Sequence, residues 1–368
     1  MLKQYLTLAR ANIKMEVKKI CAIEFADDID DIMDCLHYVC ADKLPSEMMV
    51  VEEIKSVFTE YHNNIVTIND NSYPSMLRYT PIAPVILTIK GDVSFMNSRF
   101  VALAGSRQTE TDDDRKIKAI TDTVNKLGLR IASGLAYGSD LLAHLHSIQF
   151  GTLAVMPCGI NECYPREHRI ILDKIIDFGG AIVSEFSFSE PPRQYNFLKR
   201  NASLVGISHA VVIARARDIR SGTMSSANFA NKFDRHLYTL RMKGTNYGND
   251  HLLKMGKADE IRDLEDFGYS LLIDVAKNEY NDKNPSVRDN FNKRNKNISI
   301  FSYNGDKNSL KKEVETMLQF SEKCASLKLT ENNLCLLFDI CCQELEISCK
   351  KDRQEVLKFL LEKIYKQT

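Results

Sequence analysis

The sequence predicts an α/β protein: a parallel sheet flanked by helices, with small helical N- and C-terminal domains. Three observations carry that expectation. Short apolar runs alternate with helical stretches from about residue 98 to 268. Those runs are almost continuously apolar, the pattern of strands buried on both faces. Outside this region, apolar residues recur at spacings of three and four instead. A chain of 368 residues, 44% hydrophobic and 27% charged, has the composition of a globular protein and room for roughly two or three domains.

Taken in order, residues 1–70 contain no glycine and read as short amphipathic helices, with Ile29, Ile32, Met33 and Leu36 on one face. Residues 72–92 carry prolines at 74, 81 and 84, which exclude helix there, and Val85 to Ile89 suits a strand. The core is expected over 72–268. Its strand candidates are Phe100–Ala104, Leu129–Ala132, Leu153–Met156, Ala181–Val183, Ala210–Ala214 and Leu237–Leu240. Helix candidates lie between them: Asp113–Leu127, Asp140–Gln149, Glu167–Phe178, Phe197–Gly206 and Ser225–Phe233. In such a sheet, crossovers are right-handed and ligands sit at the carboxyl ends of the strands. Residues 275–308, rich in Asn, Lys and Asp, read as a polar linker. Residues 309–368 return to helical spacing, as in Leu357, Leu360, Leu361 and Ile364, and form a small helical domain.

Net charge is zero, but its distribution is uneven. Asp27, Asp28, Asp30, Asp31 and Asp34 make an acidic cluster, whereas residues 190–243 hold ten Lys/Arg against three acids, an excess of seven. That excess suits either a solvated face or an anion-binding surface. No apolar h-region opens the chain and no run approaches the ~20 apolar residues of a membrane span. A cytoplasmic protein without membrane contact is expected, its ten cysteines reduced. Cys158 and Cys163 lack a second pair nearby, so neither a metal nor any other cofactor is expected.

The chemistry-bearing motifs all fall where a strand ends and a helix starts. Gly105-Ser106-Arg107 follows the first core strand: Gly105 permits a tight turn, Ser106 offers a hydroxyl and Arg107 a planar charge able to grip phosphate. Residues 133–140, SGLAYGSD, place Gly134 and Gly138 before a helix, a phosphate-cradling form that lacks the G-K-[ST] ending of a nucleotide triphosphatase. His144, one turn on, is read as structural rather than as a catalytic base. Phe197 stands beside Lys199, Arg200 and Asn201, an aromatic among cations that suits either a core residue with solvated neighbours or a base-stacking site for single-stranded nucleic acid. Ser221-Gly222-Thr223 opens a helix, where it serves as an anion site or a simple N-cap.

These motifs, in this order, resemble the DprA/Smf family. The matching stretches are GSR at 105–107, SGLAYGSD..AH at 133–144, T.AVMPCGI...YP at 152–165, GGAIVSEF.....P...NFLKRN at 179–201, SGTMSSA..A at 221–230 and GND.L...GKA at 248–258. The resemblance implies an extended Rossmann-like domain that binds single-stranded DNA at the strand ends. It implies a homodimer and delivery of the recombinase RecA during natural transformation, without catalysis. By motif, Arg107 would be the central phosphate-binding arginine, with Phe197 and Arg200 lining the pocket and Gly105, Ser106 and Gly134 in its floor.

Three positions depart from the family pattern. Gln194 stands where a lysine is usual, with Arg193 beside it as a substitute. Ala202 replaces an arginine after Asn201. Arg241-Met242 replaces a Pro-Gly pair. Arg215, Arg217 and Arg220 are candidates to compensate. Two other readings use the same fold: a LOG-type nucleoside monophosphate phosphoribohydrolase, against which Ala227 stands where its acid would be sought, and a nucleotide-ligand sensor.

Overall fold

The structure, a computed structural model, describes residues 2–59, 63–242, 247–283, 334–344 and 350–365, together with residues 312, 314, 315 and 347. The chain divides into two compact units, one of residues 1–52 and 289–368, the other of residues 53–288.

The first unit joins the two ends of the chain. It contains α1 (Leu2–Arg10), α2 (Met15–Lys19) and α3 (Ile29–Cys40) from the N-terminal side, while α4 (Glu47–Thr59) leads out of it. The segments Leu334–Glu344 and Lys350–Tyr365 are its C-terminal helices. Phe25 meets Phe338 edge-on at 6.3 Å between ring centres. Arg353 pairs with Glu24 at 2.9 Å, and Lys358 reaches Asp31 at 3.5 Å. Part of the N-terminal acidic cluster thus finds its cation within the chain. The separate N- and C-terminal helical domains of the sequence reading meet here as one unit.

In the second unit, nine strands form one sheet among the described residues. In chain order the elements are β1 (Asn63–Thr67), α5 (Ser75–Arg78), β2 (Ile86–Gly91), β3 (Phe100–Ala104), α6 (Thr111–Lys126), β4 (Arg130–Ser133), α7 (Ser139–Ser147), β5 (Leu153–Val155), α8 (Arg169–Asp177), β6 (Ala181–Ser184), α9 (Gln194–Ile207), β7 (Ala210–Ile213), α10 (Gly222–Lys232), β8 (His236–Thr239), α11 (Gly248–Lys254), β9 (Asp259–Glu260) and α12 (Leu264–Lys283). Across the sheet the order is β1-β2-β6-β5-β4-β3-β7-β8-β9. β2 pairs antiparallel with both β1 and β6, and every other pairing is parallel. Succession runs one way from β3 through β4, β5 and β6, and the other way through β7, β8 and β9. The chain therefore leaves the carboxyl ends of β3 and β7 in opposite directions, and a crevice opens between them.

The core strands fall within a residue or two of their expected positions because each is a short apolar run buried on both faces. Val101, Leu103, Ile131, Ala210 and Val212 pack against Ile117, Ile120 and Val124 of α6 and Phe267, Leu271 and Val275 of α12. Elsewhere Ala154, Met156 and Ile182 pack with Leu172 and Ile175 of α8.

Four expectations change. Residues 63–67 are a strand of this sheet rather than part of a helical domain. The proline-marked segment holds a one-turn helix, α5, because Pro74 sits at its N-cap, where proline disturbs no helical hydrogen bond. An antiparallel edge, β1 and β2, adds to the parallel sheet expected over residues 98–268. Residues 275–283 belong to α12 rather than to the expected linker, and Val275 is a core residue. The remainder of that expected linker, from 284 on, lies outside the described residues.

Because Leu271 is fully buried between α12 and the sheet, Leu271→Ala should cost about 2–5 kcal/mol. Chemical denaturation would read this; a cost near zero would mean that α12 is not part of the core.

Candidate nucleic-acid interface

The crevice at the carboxyl ends of β3 and β7 is a cleft of about 510 Å³. It is lined by Gly105, Ser106, Arg107, Gln108, Ala136, Asp140, Phe197, Arg200, Asn201, Arg217, Ser221, Gly222, Thr223 and Ser226, with Ala104 behind them. Four segments distant in sequence meet there, each following a strand of the parallel part of the sheet.

Close backbone approach fixes the floor. A Cβ on Gly105 would lie 2.3 Å from the Ser139 hydroxyl, and one on Gly134 would lie 1.0 Å from an Arg200 Nη. Gly138 has φ of 71°, and a Cβ there would come within 2.4 Å of the Ser106 carbonyl oxygen. The Ser139 N–H donates to that same carbonyl at 3.0 Å, so the two glycine loops are locked to each other. Ser106 turns its hydroxyl inward and accepts from the Gln108 N–H at 3.1 Å, which shapes its own loop.

Arg200 lies over Gly134 and is almost wholly buried. Its guanidinium donates to Asp140 at 3.4 Å. Burial is the main influence on it and draws its pKa below the ordinary arginine value; Asp140 opposes this, and the nearby positive charge of Arg107 adds to it. Its Nε and the Ser226 hydroxyl are buried without a protein partner. An unsatisfied polar group of this kind normally costs about 1–3 kcal/mol, so the cleft is underfilled in hydrogen bonds. Arg107 is exposed and lies 5.4 Å from the centre of the Phe197 ring, whose edge contact with Tyr164 is 5.2 Å between centres. The aromatic that read two ways is therefore half-buried, with cation and ring on the cleft wall.

The other expected residues separate into two groups. Asn201 donates to the Ser225 hydroxyl at 2.8 Å and ties α9 to α10. Ser221 occupies the N-cap position of α10, but its hydroxyl donates to the Asp218 carbonyl instead of capping the helix. Gly134 lies beneath Arg200 rather than on the cleft surface. Arg193, Gln194 and Lys199 do not line the cleft; the Lys199 ammonium sits 5.7 Å from the centre of the Tyr195 ring.

Part of the basic excess is engaged within the chain rather than offered to a ligand. Arg215, a candidate for compensating charge, is buried and grips Asp113 through two bonds of 2.7 and 2.9 Å and Glu110 through one of 2.7 Å. Arg235 donates to the Met76 and Phe233 carbonyls, and Arg241 forks onto Glu260. Arg217 does reach the cleft, held by Gln108 at 2.5 Å. Sequence reasoning missed Gln108, Ala136, Asp140 and Ser226 there. The spacing of the Asp140 carboxylate from Arg200, 60 residues away, carries no local signal.

His144 is structural: fully buried, it shares a 3.0 Å hydrogen bond with the Thr152 hydroxyl, and burial drives its pKa down to about 3. Glu185 accepts from Ser203 at 2.7 Å and does not line the cleft. Cys158 and Cys163 are free thiols. Among the described residues, no group of three His, Cys, Asp or Glu is placed to hold a metal, and no helix is long and apolar enough to cross a membrane.

Fold and cleft together define a doubly wound α/β protein with an arginine-lined crevice at its switch point. The sequence model of the DNA recombination-mediator protein A family matches residues 64–271, more than half of the chain, and the chain belongs to that family, also called DprA/Smf. Protein Smf of Escherichia coli K12 is 30% identical over 229 residues, which are 60% of this chain and 61% of that protein. The match thus spans about three-fifths of the E. coli protein's length. DNA processing protein DprA of Streptococcus pneumoniae is 29% identical over 195 residues, covering 52% of this chain and 68% of that one. Among solved structures, DNA processing protein A of Helicobacter pylori, described for its single-stranded DNA binding mode, superposes with a TM-score of 0.52 at 26% identity, over 59% of this chain and 98% of that chain. The S. pneumoniae DprA structure gives 0.60 at 22% identity, over 72% and 96%, and supports the Rossmann-like fold.

The packing over Gly134 is directly testable. Gly134→Ala should unseat Arg200 and cost about 1–3 kcal/mol through overpacking, read as a lowered thermal midpoint. Stability equal to the parent's would mean that Arg200 does not occupy that seat.

Proposed function

We propose that this chain binds single-stranded DNA in the switch-point crevice, by phosphate contact and base stacking and without catalysis. The observation that carries the reading is the pairing of buried Arg200, its Nε unpartnered, with exposed Arg107 against the Phe197 ring. A guanidinium pair suits a phosphate, and an aromatic face suits a base of any identity. Binding described for the H. pylori relative supports the same ligand. Among the described residues, the one carboxylate lining the cleft belongs to Asp140, which Arg200 engages, an arrangement that favours holding an anion over acid–base chemistry. In this reading the expected cleft residues act together: Gly105, Ser106 and Gly134 shape the floor, Arg107, Arg200, Asn201, Ser221, Gly222 and Thr223 meet the phosphates, and Phe197 stacks a base. Arg193, Gln194 and Lys199 lie beside the cleft and guide the strand. Family membership supports a cytoplasmic homodimer that protects incoming DNA during natural transformation and loads RecA onto it, in keeping with a recombination mediator.

The test is fluorescence anisotropy of a labelled oligo-dT at two salt concentrations, with duplex DNA beside it. Binding should prefer the single strand and fall steeply with salt. Arg107→Ala should weaken it and flatten the slope of log K against log salt by about 0.7, one phosphate contact on a single strand. An unchanged slope removes Arg107 from the interface. Binding of small nucleotides with no affinity for DNA would favour a nucleotide sensor instead.

A further inference from the structure

The aromatic wall of the crevice continues beyond Phe197. Tyr164, at the end of the loop after β5, meets the Phe197 ring edge-on at 5.2 Å between centres. Tyr137 follows in the loop between β4 and α7. Its hydroxyl donates to Glu167 at 2.9 Å. That hydrogen bond raises its pKa, and Tyr164 and Arg107 are near enough to act on the phenol too. Phe197 lines the crevice, and Tyr137 stands beyond it, 41% exposed.

Tyr137 is held at two points. Besides the bond to Glu167, its ring meets His168 edge-on at 5.0 Å between centres. His168 is buried, and its Nδ1 donates to the Leu135 carbonyl at 2.8 Å. The loop after β4 is thus fastened to the turn that precedes α8. An edge-on contact covers at most one face of a ring. The exposed part of Tyr137 is therefore open to a flat partner, and the anchored side chain has little freedom left to lose on binding. A ring so placed serves either as a spacer between loops or as a platform, and its exposure beside Arg107 favours the platform.

Charge selects what lies on it. Glu167, at the outer end of the wall, repels phosphate, whereas Arg107 attracts it. A strand meeting both would set a phosphate on Arg107 and turn a base, not its backbone, toward Tyr137. Stacking of this kind tolerates any base.

We propose that Tyr137, with Tyr164 beside it, is a second base platform, which takes a further nucleotide of the strand whose first base stacks on Phe197. The proposal rests on the single-stranded DNA reading of the crevice and adds the path by which the strand leaves it.

The experiment measures anisotropy of a labelled oligo-dT of about six nucleotides with wild type, Tyr137→Ala and Tyr137→Phe. Tyr137→Ala should bind roughly tenfold more weakly, and Tyr137→Phe, which keeps the ring, should retain most of the affinity. On an abasic oligomer of the same length, the gap between wild type and Tyr137→Ala should close, an outcome that distortion of the crevice would not give. The chain contains no tryptophan, so Tyr137→Trp adds a unique reporter, whose fluorescence oligo-dT should quench. Wild-type affinity in Tyr137→Ala, a gap that persists on the abasic oligomer, or an unquenched tryptophan in a complex that anisotropy shows to have formed overturns the proposal and leaves the crevice reading standing. Absence of oligo-dT binding by wild type overturns both.

Discussion

The guanidinium of Arg200 occupies a place where almost nothing else fits. It lies on Gly134 so closely that a single added methyl would overlap it, and its charge is balanced by Asp140 at 3.4 Å within a nearly dry environment. Breaking a buried pair of this kind by removing one partner typically costs about 3–5 kcal/mol. The loop after β4, the start of α7 and the middle of α9 are therefore placed by one another. Gly138 extends the same constraint to the loop after β3, since its positive φ lets the backbone pass against Ser106 and Arg107. Position and chemistry of the crevice follow from these contacts, and from the divergence of the chain at β3 and β7.

The arginines show how one residue type serves three purposes within one domain. Arg215 is consumed by Asp113 and Glu110 and braces the loop after β7 against the start of α6. Arg200 is buried but incompletely satisfied. Arg107 stands in solvent beside an aromatic ring. Only the last two suit an anion arriving from outside, because the first has no donor directed to the cleft. Burial thus decides function here, and a charge count along the chain does not record it.

That distinction marks what was legible in the sequence. The core strands were readable because double burial makes them continuously apolar, and the turn motifs because Gly105, Gly134 and Gly138 stand where backbone meets backbone. Phe197 and Arg200 were readable as a motif. The seven-charge excess over 190–243 was not a reliable guide, since Arg215, Arg235 and Arg241 satisfy groups far away in sequence. The strand at 63–67 was hidden because edge strands need not be apolar on both faces. The union of N- and C-terminal helices, through pairs such as Phe25 with Phe338, leaves no periodicity to detect.

That union sets an order on the making of the protein. Some two hundred residues and more separate the two parts of the helical unit. At about 5–20 residues per second, a ribosome delivers Phe338, the partner of Phe25, roughly 15–60 seconds after Phe25 itself. The sheet unit, contiguous along the chain, emerges whole in the interval and is free to fold first. The N-terminal helices meanwhile carry an apolar face with no native mate, and loop closure over so long a separation is entropically slow to reward. Nascent chains are thus most exposed to misassociation through residues 1–52, after the sheet unit is already complete.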